Sequence, residues 1–189
     1  MGKNLIGMGL LTVLAMSVQA TTVAPLSLEE MTRRSDSIVV GKAVSITYGF
    51  NNRAGYPETR TTFTVESGLY GASTGESVVV CLPGGPAGNG LVTVVPGMPK
   101  FKVDERAVLF LVKDKSRDVT IPTGLEQGVF RIKVDPKTKE SYVFNQSRDL
   151  SAIGQSAISG AASTKDASKQ RLFDFELKVR QLTEKVKDQ

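Results

Sequence analysis

The chain offers few residues with which to do covalent chemistry. Cys81 is the single cysteine, and histidine is absent. Without an imidazole neither a Ser-His-Asp nor a Cys-His arrangement can form, and His-containing zinc sites go with them. Carboxylate pairs, Ser-Lys pairs and carboxylate calcium sites stay open. The adjacent acids that stand out are Glu29 with Glu30 and Asp104 with Glu105. The first pair has a helix-start duty and the second a turn duty, and no Ser-x-x-Lys opens a helical pattern. No catalytic residue, cofactor site or metal site is therefore assigned. Cys81 lies in the apolar run Val78-Val79-Val80-Cys81-Leu82, where a thiol acts as a small buried hydrophobe; a reactive or intermolecular thiol is the alternative.

Recognition chemistry is better represented. Gly49 to Glu58 is rich in turn formers and reads as a long exposed hairpin loop. In and beside it, Tyr48, Phe50, Arg53, Tyr56 and Arg60 combine aromatic area with cationic donors, the mix found at binding hot spots. These five form the candidate binding surface; the competing reading is that they merely close one end of a barrel. The Gly- and Pro-rich stretch Pro83 to Gly90 lacks the Gly-Lys-Ser/Thr ending of a phosphate-binding loop and reads as a wide hairpin connection.

The elements that must position these residues begin at Leu26. Ser27 is placed to cap a short helix through the Glu30 N–H while Glu30 reaches back, Leu26 staples onto Met31, and Arg33 and Arg34 fall in the last turn. A long strand follows, with Ile38, Val40, Val44, Ile46 and Tyr48 on one face and mostly small residues, Val39 to Thr47, on the other. Gly41 within it marks a bulge or sharp bend. Thr59 to Glu66 alternates again, with Thr61, Phe63 and Val65 opposed to Arg60, Thr62 and Thr64. Glu76 to Leu82 and Leu91 to Val95 are further strands, and Phe101 and Val103 plug one end of the core. Arg106 to Lys113 is apolar on both faces, so one face lines the barrel and the other lies under a helix. Val119 to Pro122 is short, and Gly128 to Val134 with Ser141 to Phe144 forms a hairpin around Asp135 to Glu140. Six to eight short, closely spaced strands make the chain mainly β, the signature of a small sandwich or barrel, and the bend expected at Gly41 favours the barrel.

The ends differ in character. Lys3, the apolar run Leu5 to Val18 and Val18-Gln19-Ala20 form the pattern of a signal peptide over residues 1–20, with Thr21 as the expected mature start and a periplasmic or secreted location. Apart from it, no apolar run is long enough to span a bilayer. The barrel domain is expected over 21–150, a Ser-, Ala- and Gly-rich linker over 151–166, and a C-terminal amphipathic helix over 167–189. That helix places Leu172, Phe175, Val179, Leu182 and Val186 on one stripe, which either packs on the barrel and the N-terminal helix or pairs with a second copy or a partner. The net charge is +5, from basic residues interleaved with acids, which describes a solvated surface and not a nucleic-acid site.

Several strings together carry a resemblance. They are Leu28-Glu29-Glu30, Ser35-Asp36-Ser37-Ile38-Val39-Val40-Gly41-Lys42-Ala43-Val44, Thr62-Phe63-Thr64-Val65, Gly84-Gly85, Gly97-Met98-Pro99, Phe101, Val108-Leu109-Phe110-Leu111 and Gln127-Gly128-Val129-Phe130. The pattern resembles exported bacterial proteins of unassigned function, some of which precede a matrixin-type protease domain. More distantly, its opening is similar to netrin-like domains, including tissue inhibitors of metalloproteinases. The resemblance implies an OB-like, netrin-like barrel with helical additions. It does not imply inhibition, because those inhibitors place an N-terminal cysteine on zinc and the expected mature start here is Thr21.

The leading functional expectation is a noncatalytic exported binding module whose partner is an envelope or secreted protein, with oligomerisation through the C-terminal helix open. An accessory or inhibitory partner of a secreted protease is the alternative drawn from the resemblance. A small carboxylate- or Ser/Lys-dependent enzyme is the third.

Overall fold

The computed structural model describes residues 25–88, 90–147 and 170–187. The expected signal peptide, 1–20, and linker, 151–166, lie outside the described residues.

The chain enters through α1 (Leu28–Arg34), where Ser27 Oγ accepts the Glu30 N–H at 3.0 Å as expected. The reciprocal half of the capping box is not made. Instead the Glu30 carboxylate takes Arg33 at 2.6 Å and Arg34 at 2.5 Å from the last turn. Two guanidinium groups outcompete one backbone N–H for a full negative charge, and they hold the Glu30 carboxyl below its usual value.

β1 (Ser37–Asn51) and β2 (Tyr56–Tyr70) form a long hairpin. Its pairing runs unbroken from Ser45 opposite Thr62 to Asn51 opposite Tyr56, which corrects the expected loop over 49–58. Only Asn52 to Gly55 are left to turn. Asn51 makes this tight connection feasible: its Oδ1 accepts the N–H groups of Arg53 and Ala54, and its carbonyl accepts that of Gly55 at 2.7 Å.

The expected facing of β1 is also corrected. Its ladder slips at three places: between Ile38 and Val39 and between Val40 and Gly41 the extra residue belongs to β2, and between Ala43 and Ser45 it is Val44 of β1, so only the last resets the alternation of β1. Ile38 and Val40 face the outer core and Val39 and Ala43 the barrel interior, so all four are buried, while Val44 and Tyr48, at and beyond the last slip, are exposed. Gly41 stands at the second slip, where an added Cβ would lie 3.2 Å from that of Phe63.

β3 (Ser77–Pro83) pairs with β2. The stretch expected as a loop and then a core strand is instead a small separate arm, β4 (Gly85–Gly88) against β5 (Leu91–Thr93). β6 (Arg106–Asp114) has β1 on one edge and, in succession on the other, β7 (Val119–Pro122) and β8 (Val129–Val134). β3 meets β7 in parallel at the single pair Val80 and Thr120. The pairings thus run β1-β2-β3-β7-β6 and back to β1, a barrel-like sheet whose parallel seam is too thin to close it fully. It is the partly open five-stranded arrangement of an OB-type barrel. β8, β9 (Ser141–Phe144) and β10 (Gln170–Arg171) continue the sheet outward.

Two cores lie on the two sides of this sheet. The barrel interior holds Phe63, Val65, Val80, Ala107, Leu109 and Leu111 among others. The outer core holds Met31, Ile38, Val40, Val108, Phe110 and Phe130, covered by Phe175 and Val179 of α2 (Leu172–Lys187). β6 is therefore buried on both faces as its sequence requires. Phe101 packs edge-on to Phe63 at 5.0 Å, but Val103, expected beside it in the plug, is half exposed. In α2, Phe175 and Val179 of the expected stripe face the sheet, and Phe173 and Leu177 are exposed on the outer face. The helix begins at Leu172 because Gln170 and Arg171 are still paired with β9.

Candidate functional site

The candidate site is the free end of the β1–β2 hairpin, and the register divides its residues between two faces. Side chains alternate along paired strands. Ile46, Tyr48 and Phe50 stand opposite Thr61, Thr59 and Pro57, on the face that continues the barrel interior. Asn51, opposite Tyr56, and Thr47, opposite Arg60, belong to the other face with Glu58. The five residues picked from sequence are thus not one surface. Tyr48 and Phe50 lie on one side, Tyr56 and Arg60 on the other, and exposed Arg53 sits at the turn.

The polar face has a charged floor. Glu58 is only 1% exposed, yet its carboxylate is fully engaged: Asn51 Nδ2 donates to Oε2 at 2.8 Å and Arg60 Nε donates to Oε1. Asn51 also ties the turn through Arg53 and Ala54, so turn geometry and carboxylate position are coupled. A cavity of about 230 Å³ opens here, lined by Tyr56, Glu58, Cys81, Asp114, Arg117 and Ile121 among others. Asp114 is held below the ordinary carboxyl range, first by the Ser116 hydroxyl and then by backbone N–H groups and Arg117. Both hairpin ends that frame the cavity are therefore stiffened by side-chain-to-backbone hydrogen bonds.

Cys81 lies opposite Arg60 in the β2–β3 ladder and is half buried. Burial pushes its thiol up and Glu58 adds to this, Arg60 offsetting a part. A thiol so placed is a poor nucleophile, since the thiolate is the reactive form. At neutral pH, iodoacetamide is expected to alkylate Cys81 more slowly in the folded chain than in the urea-unfolded chain, read by intact mass. Faster labelling of the folded form would mark an activated thiol and overturn this reading.

The apolar face is built around the arm. Gly84 N–H donates to Pro57 O at 2.7 Å and Thr59 Oγ1 donates to Gly84 O at 2.8 Å, which fixes the base of the arm to β2. Gly85, at φ +130°, lets the Tyr48 ring come within 3.2 Å of where a Cβ would stand. Between arm and hairpin lies a mostly apolar groove of about 330 Å³, lined by Ile46, Tyr48, Val92, Val94, Met98 and Lys100 among others.

A third, more open groove of about 940 Å³ includes Lys100, Lys102, Arg131 and Lys133. Arg131 is clamped there between Glu105 and Glu126 with its guanidinium 5.7 Å from the Phe101 ring. Glu105 also accepts the Lys102 N–H, and Asp104 holds Lys42 at 2.8 Å. The acidic pair Asp104 and Glu105 is thus committed to structural partners, as is Glu30.

Sequence reasoning missed Asn51, Glu58 and the arm residues Leu91, Val92 and Val94. Glu58 had a readable signal: it sits two residues before Arg60 in a strand-like stretch, which puts both on one face. The arm had none, because its apolar residues look like any short core strand. No family model, curated protein or solved structure matches the chain.

Proposed function

We propose that the protein is a noncatalytic, exported binding module whose polar cleft, between the β1–β2 and β6–β7 hairpin ends, recognises a protein of the envelope or of the secreted pool. The observation that carries this reading is the buried Glu58 carboxylate, held in place by Asn51 and Arg60 and lining a small cavity together with Tyr56, Asp114 and Arg117, so that polar groups are placed before any partner arrives. Pre-formed concave sites with a few placed polar groups are the usual form of binding sites. On OB-type barrels ligands sit over the second and third strands, between the loops joining strands one to two and four to five. The cleft occupies that position, since β6 and β7 are the fourth and fifth barrel strands. The noncatalytic reading is supported by the half-buried thiol of Cys81 and by the structural engagement of Glu30, Glu58, Asp104 and Glu105. The exported location rests on the signal pattern of residues 1–20.

Capture from native envelope extract tests the reading. Wild-type protein is expected to retain a defined partner, and Tyr56→Ala or Arg53→Ala to weaken its retention by roughly tenfold or more, the loss typical of a hot-spot residue. Recovery of no partner, or variants that behave as wild type, counts against it.

A further inference from the structure

The apolar surface of the arm is left unused by the polar cleft. Leu91 and Val92 are successive residues of β5, so their side chains leave opposite faces of the arm, and they are 68% and 63% exposed. Val94, just beyond, is exposed to a similar degree, as is Phe50 on the adjoining hairpin face. A groove on a protein partner covers one face of a strand. An element apolar on both faces suits a medium that surrounds it, as the boundary between headgroups and acyl chains does.

Charge points the same way. Past Val94 the chain runs through Pro96 and Gly97 to Lys100 and Lys102, both exposed. Lys100 lines the groove beneath the arm together with Val92 and Val94, and its neighbouring groove reaches Lys102. Among the described residues neither ammonium group is in an ion pair, while the nearby acids are taken: Asp104 by Lys42 and Glu105 by Arg131. Free cations beside exposed apolar side chains complement a surface of anionic phosphates. Among the described residues no helix is long and apolar enough to cross a membrane.

We infer that the β4–β5 arm docks on an anionic phospholipid bilayer, with Leu91, Val92, Val94 and Phe50 entering the headgroup boundary and Lys100 and Lys102 lying over the phosphates. The inference does not draw on the Glu58 network, which lies on the other face of the hairpin, although the groove and the cleft adjoin at Leu82, Pro83 and Met98.

The chain has no tryptophan, so Leu91→Trp, at an exposed position, installs a single reporter in the full chain. On vesicles of phosphatidylcholine with phosphatidylglycerol its emission is expected to move to the blue and to be quenched by acyl-brominated lipid. Phosphatidylcholine alone is expected to give a much smaller response. Adding Lys100→Gln and Lys102→Gln is expected to weaken the partition roughly tenfold or more. A second reporter, Phe173→Trp, sits on α2, whose Arg180 reaches Ser67 at the far end of β2; it is expected to stay unshifted. This control separates the arm from any other part of the chain that adheres to lipid. An unmoved Leu91→Trp signal, an equal response from Phe173→Trp, or indifference to the lysine changes overturns the proposal. So does a Leu91→Trp shift caused by lipid-free envelope protein and not by vesicles, which makes the arm a protein interface.

Discussion

Phe110→Ala is expected to lower the unfolding free energy by about 3–5 kcal/mol, the range for deleting a buried aromatic ring. Phe110 is fully buried in the middle of β6, the strand that pairs with β1 on one side and with β7 and β8 on the other. Its ring lies 5.6 Å from that of Phe130 and 6.4 Å from that of Phe175. One side chain therefore joins the sheet to α2. The hole left by alanine opens beneath the helix, so α2 is expected to lose hydrogen-exchange protection before the barrel does. Leu109→Ala, one residue away on the barrel face, is expected to cost about 2–5 kcal/mol without that preferential loosening. Urea unfolding with exchange read by mass spectrometry checks both; a Phe110→Ala loss below about 1 kcal/mol would show that the outer core does not hold the helix.

At the cleft, Arg60→Ala removes the charged partner of a carboxylate that is only 1% exposed. Breaking a buried pair on one side costs about 3–5 kcal/mol because the other charge stays behind. Arg60 itself is 52% exposed, so water already screens part of the interaction, and Asn51 still donates to Glu58 at 2.8 Å. The expected loss is about 2 kcal/mol, below the range for a fully enclosed pair. Adding Glu58→Gln removes the uncompensated charge and is expected to return most of the stability. It is not expected to return partner capture, since the Glu58 charge that lines the cleft and the Arg60 guanidinium that holds it are both gone. Urea unfolding and envelope capture on the same two variants separate folding from recognition. If Arg60→Ala proves neutral, or the double variant is no more stable than the single, the buried charge is not what organises the cleft.

Much of the fold was legible because it is written in local periodicity. The cap at Ser27, the alternation of Thr61, Phe63 and Val65, the doubly apolar strand through Val108 and Leu109, and the stripe of α2 each follow from spacing along one element. The errors have two sources, local competition for a charged or polar group and the pairing of a second strand. Glu30 prefers two arginines of its own helix to its capping partner, Asn51 shortens a ten-residue loop to a tight turn, and the slip between Ala43 and Ser45 resets the facing of Val44 and Tyr48. The stretch after Pro83 contains good strand formers, but Gly84 and Gly85 turn it out of the sheet into an arm of its own.

The candidate site shows the same division more sharply. The sequence alone determined that the chain is mainly β, that no histidine-based chemistry is open to it, and that aromatic and cationic residues cluster around the first hairpin. Composition and period-two spacing are properties of the chain itself, and folding does not change them. Only the tertiary structure decided that Tyr48 and Phe50 part company with Tyr56 and Arg60, that Glu58 becomes the buried floor of a cleft, and that Leu91 and Val92 stay in solvent. Those outcomes depend on register, on bulges and on which element lies across which face, and such contacts join residues far apart in the chain.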